Sequence, residues 1–298
     1  MWQSMILNSL EQGLVFGIMA LGVYITFKVL NFADLTVDGS FPLGAAMAAS
    51  LIVSGHSPFL ATLAAFIAGG AAGCLTGILN TKAKISDLLS GILTMTSLYS
   101  INLRIMGQPN IPLLNQPTVF SLTRDFLIRF FPGFSDKYLY LFSFVILALL
   151  TKILLDTFLK TQLGFALRAT GDNPQMIRAQ GVNIEFAKIF GVALSNAFVG
   201  LSGALVAQYQ GFADVGLGIG TVVSGLASVI IGEALLGEKP LFITTLGVLL
   251  GSFVYRFSIS LVLSFRLAQA SDLKLLTAIV VIIALTAPQI KKTIKISS

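Results

Sequence analysis

Apolar runs about twenty residues long, separated by short stretches that hold charges, Pro, Gly or Asn, recur along this 298-residue chain. At a helical rise of about 1.5 Å per residue, each run is long enough to cross the roughly 30 Å hydrocarbon core of a bilayer. Short alternating segments, the signature of an outer-membrane barrel, are not what the pattern shows. Hydrophobic residues make up 55% of the chain and charged residues only 11%, whereas a soluble domain is about a quarter charged. A water-soluble fold is therefore excluded. The expectation is an all-α, polytopic transmembrane helical bundle forming one domain over residues 1–298. No Lys or Arg precedes Lys28, so a cleavable signal peptide is not expected and residues 5–27 read as a retained first helix.

Nine apolar segments can be marked, at 5–27, 32–53, 58–79, 85–106, 138–159, 185–207, 217–236, 241–263 and 273–288. The expectation is about eight to nine membrane segments, some of them not plain crossings. Basic residues favour the cytoplasmic side of a membrane. Lys82 and Lys84, then Lys160, Arg168, Arg178 and Lys188, then Lys291, Lys292 and Lys295 mark three stretches for that side. Nine crossings that begin with the N-terminus outside satisfy all three and leave the C-terminus cytoplasmic. The net charge of +6 is thus a matter of membrane topology, with no basic face interleaved with aromatics that would bind nucleic acid. A loop over 107–137 falls on the outer side, with a short interfacial helix expected near residues 120–131.

Two segments are abnormal. The second carries Asp34, Asp38, Gly39 and Pro42 in its first third, which leaves too short a clean run to span alone; the seventh is Gly-rich and contains Glu233. Broken or re-entrant helices are tolerated at membrane depth where protein or a water-filled cavity satisfies the backbone, so these segments are candidates to line a pathway. A six-residue echo between 89–94 and 223–228, on segments of opposite direction, suggests an inverted repeat. Small-residue stripes at Gly13/Gly17, Gly69/Gly73/Gly77 and Gly247/Gly251 specify close helix packing and a possible dimer seam. Glu233 and Arg256, then Glu11, Asp87 and Arg104, are ionisable at membrane depth, where such groups are expensive. Lys152 and Asp156 are spaced for an intrahelical pair.

No phosphate-binding loop of the Gly-x4-Gly-Lys-Ser/Thr kind is present. One Cys and one His leave little material for a metal site or a catalytic set, and no cofactor is expected. The clearest functional signal is the cytoplasmic stretch 161–184. It reads as a short amphipathic helix, a Gly-Asp-Asn-Pro turn, and a second short helix with Asp172 or Asn173 as N-cap, Pro174 at its first position and Gly181 as its stop. A capped helix lying along the membrane between two crossings suits the transmission of force from a soluble motor.

At these residues the chain resembles a known family. Asn31-Phe32-Ala33-Asp34 is similar to an element of branched-chain amino acid permeases, and residues 34–40, DLTVDGS, resemble one of ribose-type permeases. Arg168 to Asn173, then Ala179, Gly181, Val182 and Asn183, look like the coupling loop of the same superfamily, and residues 224–237 look like its late Gly-rich segment. The extra Asp38 and the GDNP turn point to a third branch, some members of which take aromatic amino acids. The resemblance implies a permease subunit of an ATP-binding-cassette (ABC) importer in the plasma or inner membrane, without catalytic activity of its own. It implies a homodimer with a second permease copy, cytoplasmic ATPase subunits on the loop, and an extracytoplasmic solute-binding protein. Coupling carries over to Arg168, Gly171, Asp172, Asn173, Pro174, Ala179 and Gly181. Translocation-path residues would be Asn31, Asp34, Thr36, Asp38, Ser90, Thr94, Ser97, Asn102 and Glu233. The competing reading is an ion-coupled secondary transporter in which Asp34, Asp38 and Glu233 bind protons or sodium.

Overall fold

The computed structural model describes residues 2–130, 136–237 and 240–264, with single positions between 275 and 286. Helix α1 (Trp2–Tyr24) runs into a π-helical turn, Ile25–Val29, and the chain then turns at Asn31, whose φ is +52°, into an irregular stretch. Helix α2 (Val37–Val53) follows, then α3 (Pro58–Thr81) and α4 (Asp87–Met106). Pro58 at the first position of α3 and left-handed Gly107 after α4 give these helices clear ends. A three-residue strand β1 (Asn110–Pro112), α5 (Val119–Phe130) and α6 (Asp136–Leu159) come next. Two short helices, α7 (Gln162–Asp172) and α8 (Pro174–Ala179), lead to the long α9 (Ile184–Gln210). Strand β2 (Phe212–Asp214), a 3-10 turn at Val215–Gly218, α10 (Thr221–Leu236) and α11 (Leu241–Ser264) complete the described chain.

Six of these helical stretches are long and apolar enough to cross a membrane: Trp2–Val29, Pro58–Thr81, Leu141–Leu159, Ile184–Gln210, Val215–Leu236 and Leu241–Ser264. These six are counted among the described residues, and the other three of the expected eight to nine segments stand apart from them for separate reasons. Helix α2 is apolar but has only 17 residues, since the chain around Asp34 does not join it. Helix α4 has 20 residues, yet its Ser, Thr and Asn content makes it less apolar than a free-standing crossing. The ninth segment, 273–288, and the basic tail fall largely outside the described residues. The fold is also not purely helical: β1 and β2 form an antiparallel two-stranded sheet, with Ile111 opposite Ala213. Strands of three residues leave no periodic trace in sequence. A short helix, α5, does occupy the 107–137 loop near the expected position.

Helix α9 occupies the centre, packed against α1, α2 and α3, and its buried residues run from Ile184 to Gln208. Glycine makes this packing possible. A Cβ at Gly69 would strike the Asn196 carbonyl oxygen, one at Gly73 the Val192 carbonyl oxygen, and one at Gly77 would lie 2.7 Å from the Ile189 Cα, so the stripe on α3 lets its backbone rest directly on α9. The other stripes are spent in the same way: Gly13 and Gly17 against Phe253 and Leu249 of α11, Gly251 against Ser228 of α10. All three are filled from within the chain.

The two ends of the bundle differ. Lys82, after α3, pairs with Glu185 at the start of α9 at 2.6 Å, so the two basic loops meet at one end. The β1–β2 pair joins the chain after α4 to the chain after α9 at the other. Between them, buried Lys152 and Asp156 of α6 form the i, i+4 pair at 2.6 Å. Thr245 of α11 donates to the same carboxylate at 2.7 Å, and Phe242 places its ring 3.4 Å from the ammonium, which fastens α6 to α11. Partners of this kind are what make a buried ion pair tolerable.

Gly73→Ala is expected to lower thermal stability in detergent, by an overpacking cost of about 1–3 kcal/mol. Gly70→Ala, whose new methyl would lie 3.5 Å from Ala197 Cβ, should be neutral or stabilising because Ala is the better helix former. Thermal unfolding followed by thiol-reactive dye or light scattering compares the two.

Candidate functional site

A helix interrupted inside the bundle frees backbone groups that must be satisfied nearby. Here the interruption lies between the π-turn and α2, and side chains from four other helices converge on it. Asp34 is 7% exposed and sits within the break. Its Oδ1 accepts from the Thr36 amide at 2.9 Å, and its Oδ2 accepts from Asn196 Nδ2 of α9 at 2.7 Å. Asn196 Oδ1 accepts from Ser40 of α2 at 2.6 Å. A second chain of bonds joins Thr36 to Thr76 of α3 at 2.7 Å and Thr76 to Thr94 of α4 at 2.9 Å. Asn102 of α4 donates to the Gly39 carbonyl at 3.2 Å, while its own Oδ1 is buried without a partner.

Asp38 acts across the bundle. Its carboxylate accepts from the amides of Gly220 and Val222 at 3.2 and 2.8 Å and from the Thr221 hydroxyl at 2.9 Å. Those groups form the N-terminus of α10, whose N-cap residue is Gly220, without a side chain of its own to cap the helix. The Asp at the opening of α2 thus serves as the N-cap of α10, 182 residues later, and its negative charge complements the positive pole of the helix dipole. Close contact reinforces the junction, since a Cβ at Gly218 would strike the Asp38 carbonyl oxygen.

The loop 161–184 is built by local chemistry. Thr161 caps α7 through the Gly164 amide at 3.3 Å, Asn173 caps α8 through the Met176 amide at 3.0 Å, and Asn183 caps α9 through the Phe186 amide at 3.1 Å. Of the two candidates for the cap of α8, Asn173 makes the bond, with Pro174 at the first position and Gly181, at φ +84°, after the end. Leu167, Thr170 and Ile177 are buried and anchor the two helices, whereas Arg168, Asp172, Asn173, Pro174, Ala179 and Gly181 are exposed. So are the apolar side chains of Phe165 and Met176, each more than half exposed. Gly171 alone of the coupling residues turns inward: its Cβ position is occupied by the Val29 carbonyl oxygen of the π-turn. The loop therefore touches the chain immediately before the break.

The nine residues expected along a path are distributed unevenly. Asn31, Asp34, Thr36 and Asp38 belong to the break, and Ser90, Thr94 and Asn102 lie on the face of α4 turned toward it, all three essentially without exposure. Ser97 is exposed and bonds back to the Leu93 carbonyl within its own helix. Glu233, near the far end of α10, forms a half-exposed ion pair with Lys28 of the π-turn at 2.7 Å. Asn196, Thr76 and Thr221 were not singled out from sequence. Their only signal is an amide or hydroxyl in an otherwise apolar or Gly-rich run.

A family model described as branched-chain amino acid transport system / permease component matches residues 5–285. The chain belongs to that family. It is a permease component of an ABC import system, embedded in the membrane, and hydrolysis of ATP falls to partner subunits rather than to this chain. Among its relatives, a tyrosine transport system permease protein of Clostridioides difficile (strain R20291) is 46% identical over 97% of this chain and 93% of its own length. A probable branched-chain amino acid transport permease of Methanocaldococcus jannaschii is 29% identical over 85% of this chain and 78% of its own. The ribose import permease of Haemophilus influenzae is 27% identical over 85% and 75%. In fold the chain is similar to a solved structure, PsaBC from Streptococcus pneumoniae in complex with Fab, with a TM-score of 0.53 at 16% identity, covering 93% of this chain and 89% of that one.

Asp38→Ala is expected to uncap α10 and cost about 1–2 kcal/mol of stability, while Asp38→Asn, which keeps an acceptor oxygen, should lose less. Thermal unfolding of the purified permease measures both.

Proposed function

We propose that this chain forms the translocation path of an importer of aromatic amino acids. It works as a homodimer with cytoplasmic ATPase subunits and an extracytoplasmic solute-binding protein. Its N-terminus lies outside the cell and its C-terminus in the cytoplasm. The choice of solute follows the relative from Clostridioides difficile, which is described as a tyrosine transport permease and is alike along nearly the whole chain. The orientation follows the basic residues around Lys82, Arg168 and Arg178, gathered at the end where α7 and α8 lie. The similar sequences at the N-terminal ends of α4 and α10 are, in this reading, traces of an inverted repeat.

The observation that carries the mechanism is the contact of Gly171 with Val29. Arg168, Asp172, Asn173, Pro174, Ala179 and Gly181, with Phe165 and Met176 beside them, form the surface on which an ATPase subunit seats. Displacement of α7 by that subunit presses on the π-turn, which leads directly into Asn31, Asp34, Thr36 and Asp38. The same residues pin the opening of α2 to α3, α4, α9 and α10, so a shift there rearranges four helices at once. Thr94 and Asn102 hold α4 against the moving junction, with Ser90 buried on the same face, and the Lys28–Glu233 pair carries the motion to the inner end of α10. Asp34, Asp38 and Glu233 each already hold internal donors, which favours this role over ion binding in a secondary transporter.

Gly171→Val and Asp172→Lys are each expected to reduce ATP-driven uptake by about tenfold or more, within the usual range of coupling between distant sites, while ATP hydrolysis by the assembled complex persists. Parallel uptake and ATPase assays in proteoliposomes decide the point. Uptake at the wild-type rate in both variants would remove the loop from the mechanism, and uptake abolished by an ionophore would favour the secondary transporter.

A further inference from the structure

Among the described residues, the charged side chain of Arg256 has no ionic counterpart. Arg256 lies on α11, well inside the helix from either end. Its guanidinium stacks on the Phe16 ring of α1, 3.4 Å from the centroid, and its Nε is shut off from solvent without a hydrogen-bond partner. The ion pairs among the described residues engage Lys28, Lys82 and Lys152, and none includes Arg256. A guanidinium in a low-dielectric interior calls for an anion or a ring of acceptors, and such a group inside a membrane segment usually marks a functional site.

Arg256 lines a cavity of about 420 Å³ together with Phe16, Tyr255, Thr221, Ser224 and Ile219. That volume falls within the roughly 300–1,000 Å³ of small-molecule sites, and the wall is mostly apolar with a few polar groups. The cavity lies beside the first turn of α10, toward the end of the bundle that carries the β1–β2 pair. Asp38 does not supply the missing anion: its oxygens are taken up by Gly220, Thr221 and Val222. The charge on Arg256 therefore faces a space sized for a small solute, and the stacked Phe16 holds the guanidinium plane in place.

We propose that Arg256 receives the α-carboxylate of an amino acid entering the outer mouth of the permease, with the solute side chain against the apolar wall of the same cavity. The inference rests on the amino acid reading above and assigns a contact that reading does not contain. A planar fork of N–H donors matches a carboxylate in a way that a neutral or cationic solute cannot reproduce. Phe16 is a positioning residue in this scheme.

The test uses the full-length permease in lipid with Cys74→Ala and Val223→Cys, which places one thiol on the cavity wall, and follows the rate of maleimide labelling. L-tyrosine and 3-(4-hydroxyphenyl)propionate, which both carry the carboxylate, are expected to slow labelling, whereas tyramine, which lacks it, is not. Adding Arg256→Gln should weaken protection by about tenfold or more in the concentration of L-tyrosine required, as for loss of a charged hydrogen bond, and Arg256→Lys should restore part of it. Binding-protein-dependent uptake of L-tyrosine by the complex carrying Arg256→Gln, without the cysteine changes, is a second readout and should fall by a similar factor. Equal protection by tyramine and L-tyrosine, no protection by either carboxylate, or undiminished protection in Arg256→Gln overturns the proposal. Wild-type complexes that show no ATP-driven amino acid uptake although both carboxylates protect would instead count against the transport reading.

Discussion

A break in a helix at membrane depth leaves amides and carbonyls that lipid cannot satisfy, and everything around α2 follows from that requirement. The acceptors come from Asp34 and Asp38, and the donors from Asn196, Thr36, Thr221 and the first amides of α10. Because the side chains that meet the need belong to separate helices, the break becomes the place where α2, α3, α4, α9 and α10 are tied together. A local defect in one helix sets the arrangement of the bundle. Bonds of this kind hold only when the helices come close enough, and here the glycines of α3 matter: without Gly69 and Gly73, α9 could not bring Asn196 within reach of Asp34.

Those contacts explain why a seam rich in polar side chains need not be a wet channel. Thr36, Thr76 and Thr94 bond to one another and Asn196 to Asp34 and Ser40, so their presence in apolar helices is accounted for by packing. Among the described residues, polar atoms buried without a partner include the Asn102 side-chain oxygen, the Ser252 hydroxyl and the Arg256 Nε. Separating polar groups that close a junction from polar groups that await a partner distinguishes scaffold from site in a helical membrane protein better than polarity alone.

What could be read from the sequence was what local chemistry determines. Asn173, Pro174 and Gly181 delimit α8 because caps, proline and left-handed glycine act within a turn of the chain, and Asp34, Gly39 and Pro42 announce the break for the same reason. The i, i+4 spacing revealed the pair of Lys152 and Asp156, but not Thr245 and Phe242, which approach from another helix. Likewise no local rule joins Asp38 to α10, Lys28 to Glu233, or β1 to β2. These partners are a hundred residues or more apart, and only the packing of the bundle brings them together. The path residues illustrate both cases: Asp34 and Thr36 fall where the break was expected, while Ser97, chosen for its hydroxyl and its spacing, merely bonds back to its own helix.

The π-turn at Ile25–Val29 holds one residue more than an α-helical path over the same length would need. That surplus is a fixed rotation. Each residue in an α-helix turns the side chains that follow by about 100°, so the extra one determines which faces of Lys28, Val29 and Leu30 meet Glu233, Gly171 and Gly191. The length of this short stretch is consequently a coded quantity. Substitutions there can be absorbed one side chain at a time, but an insertion or deletion of a single residue re-aims all three contacts together, and evolution of the loop and of the break must proceed in register with it.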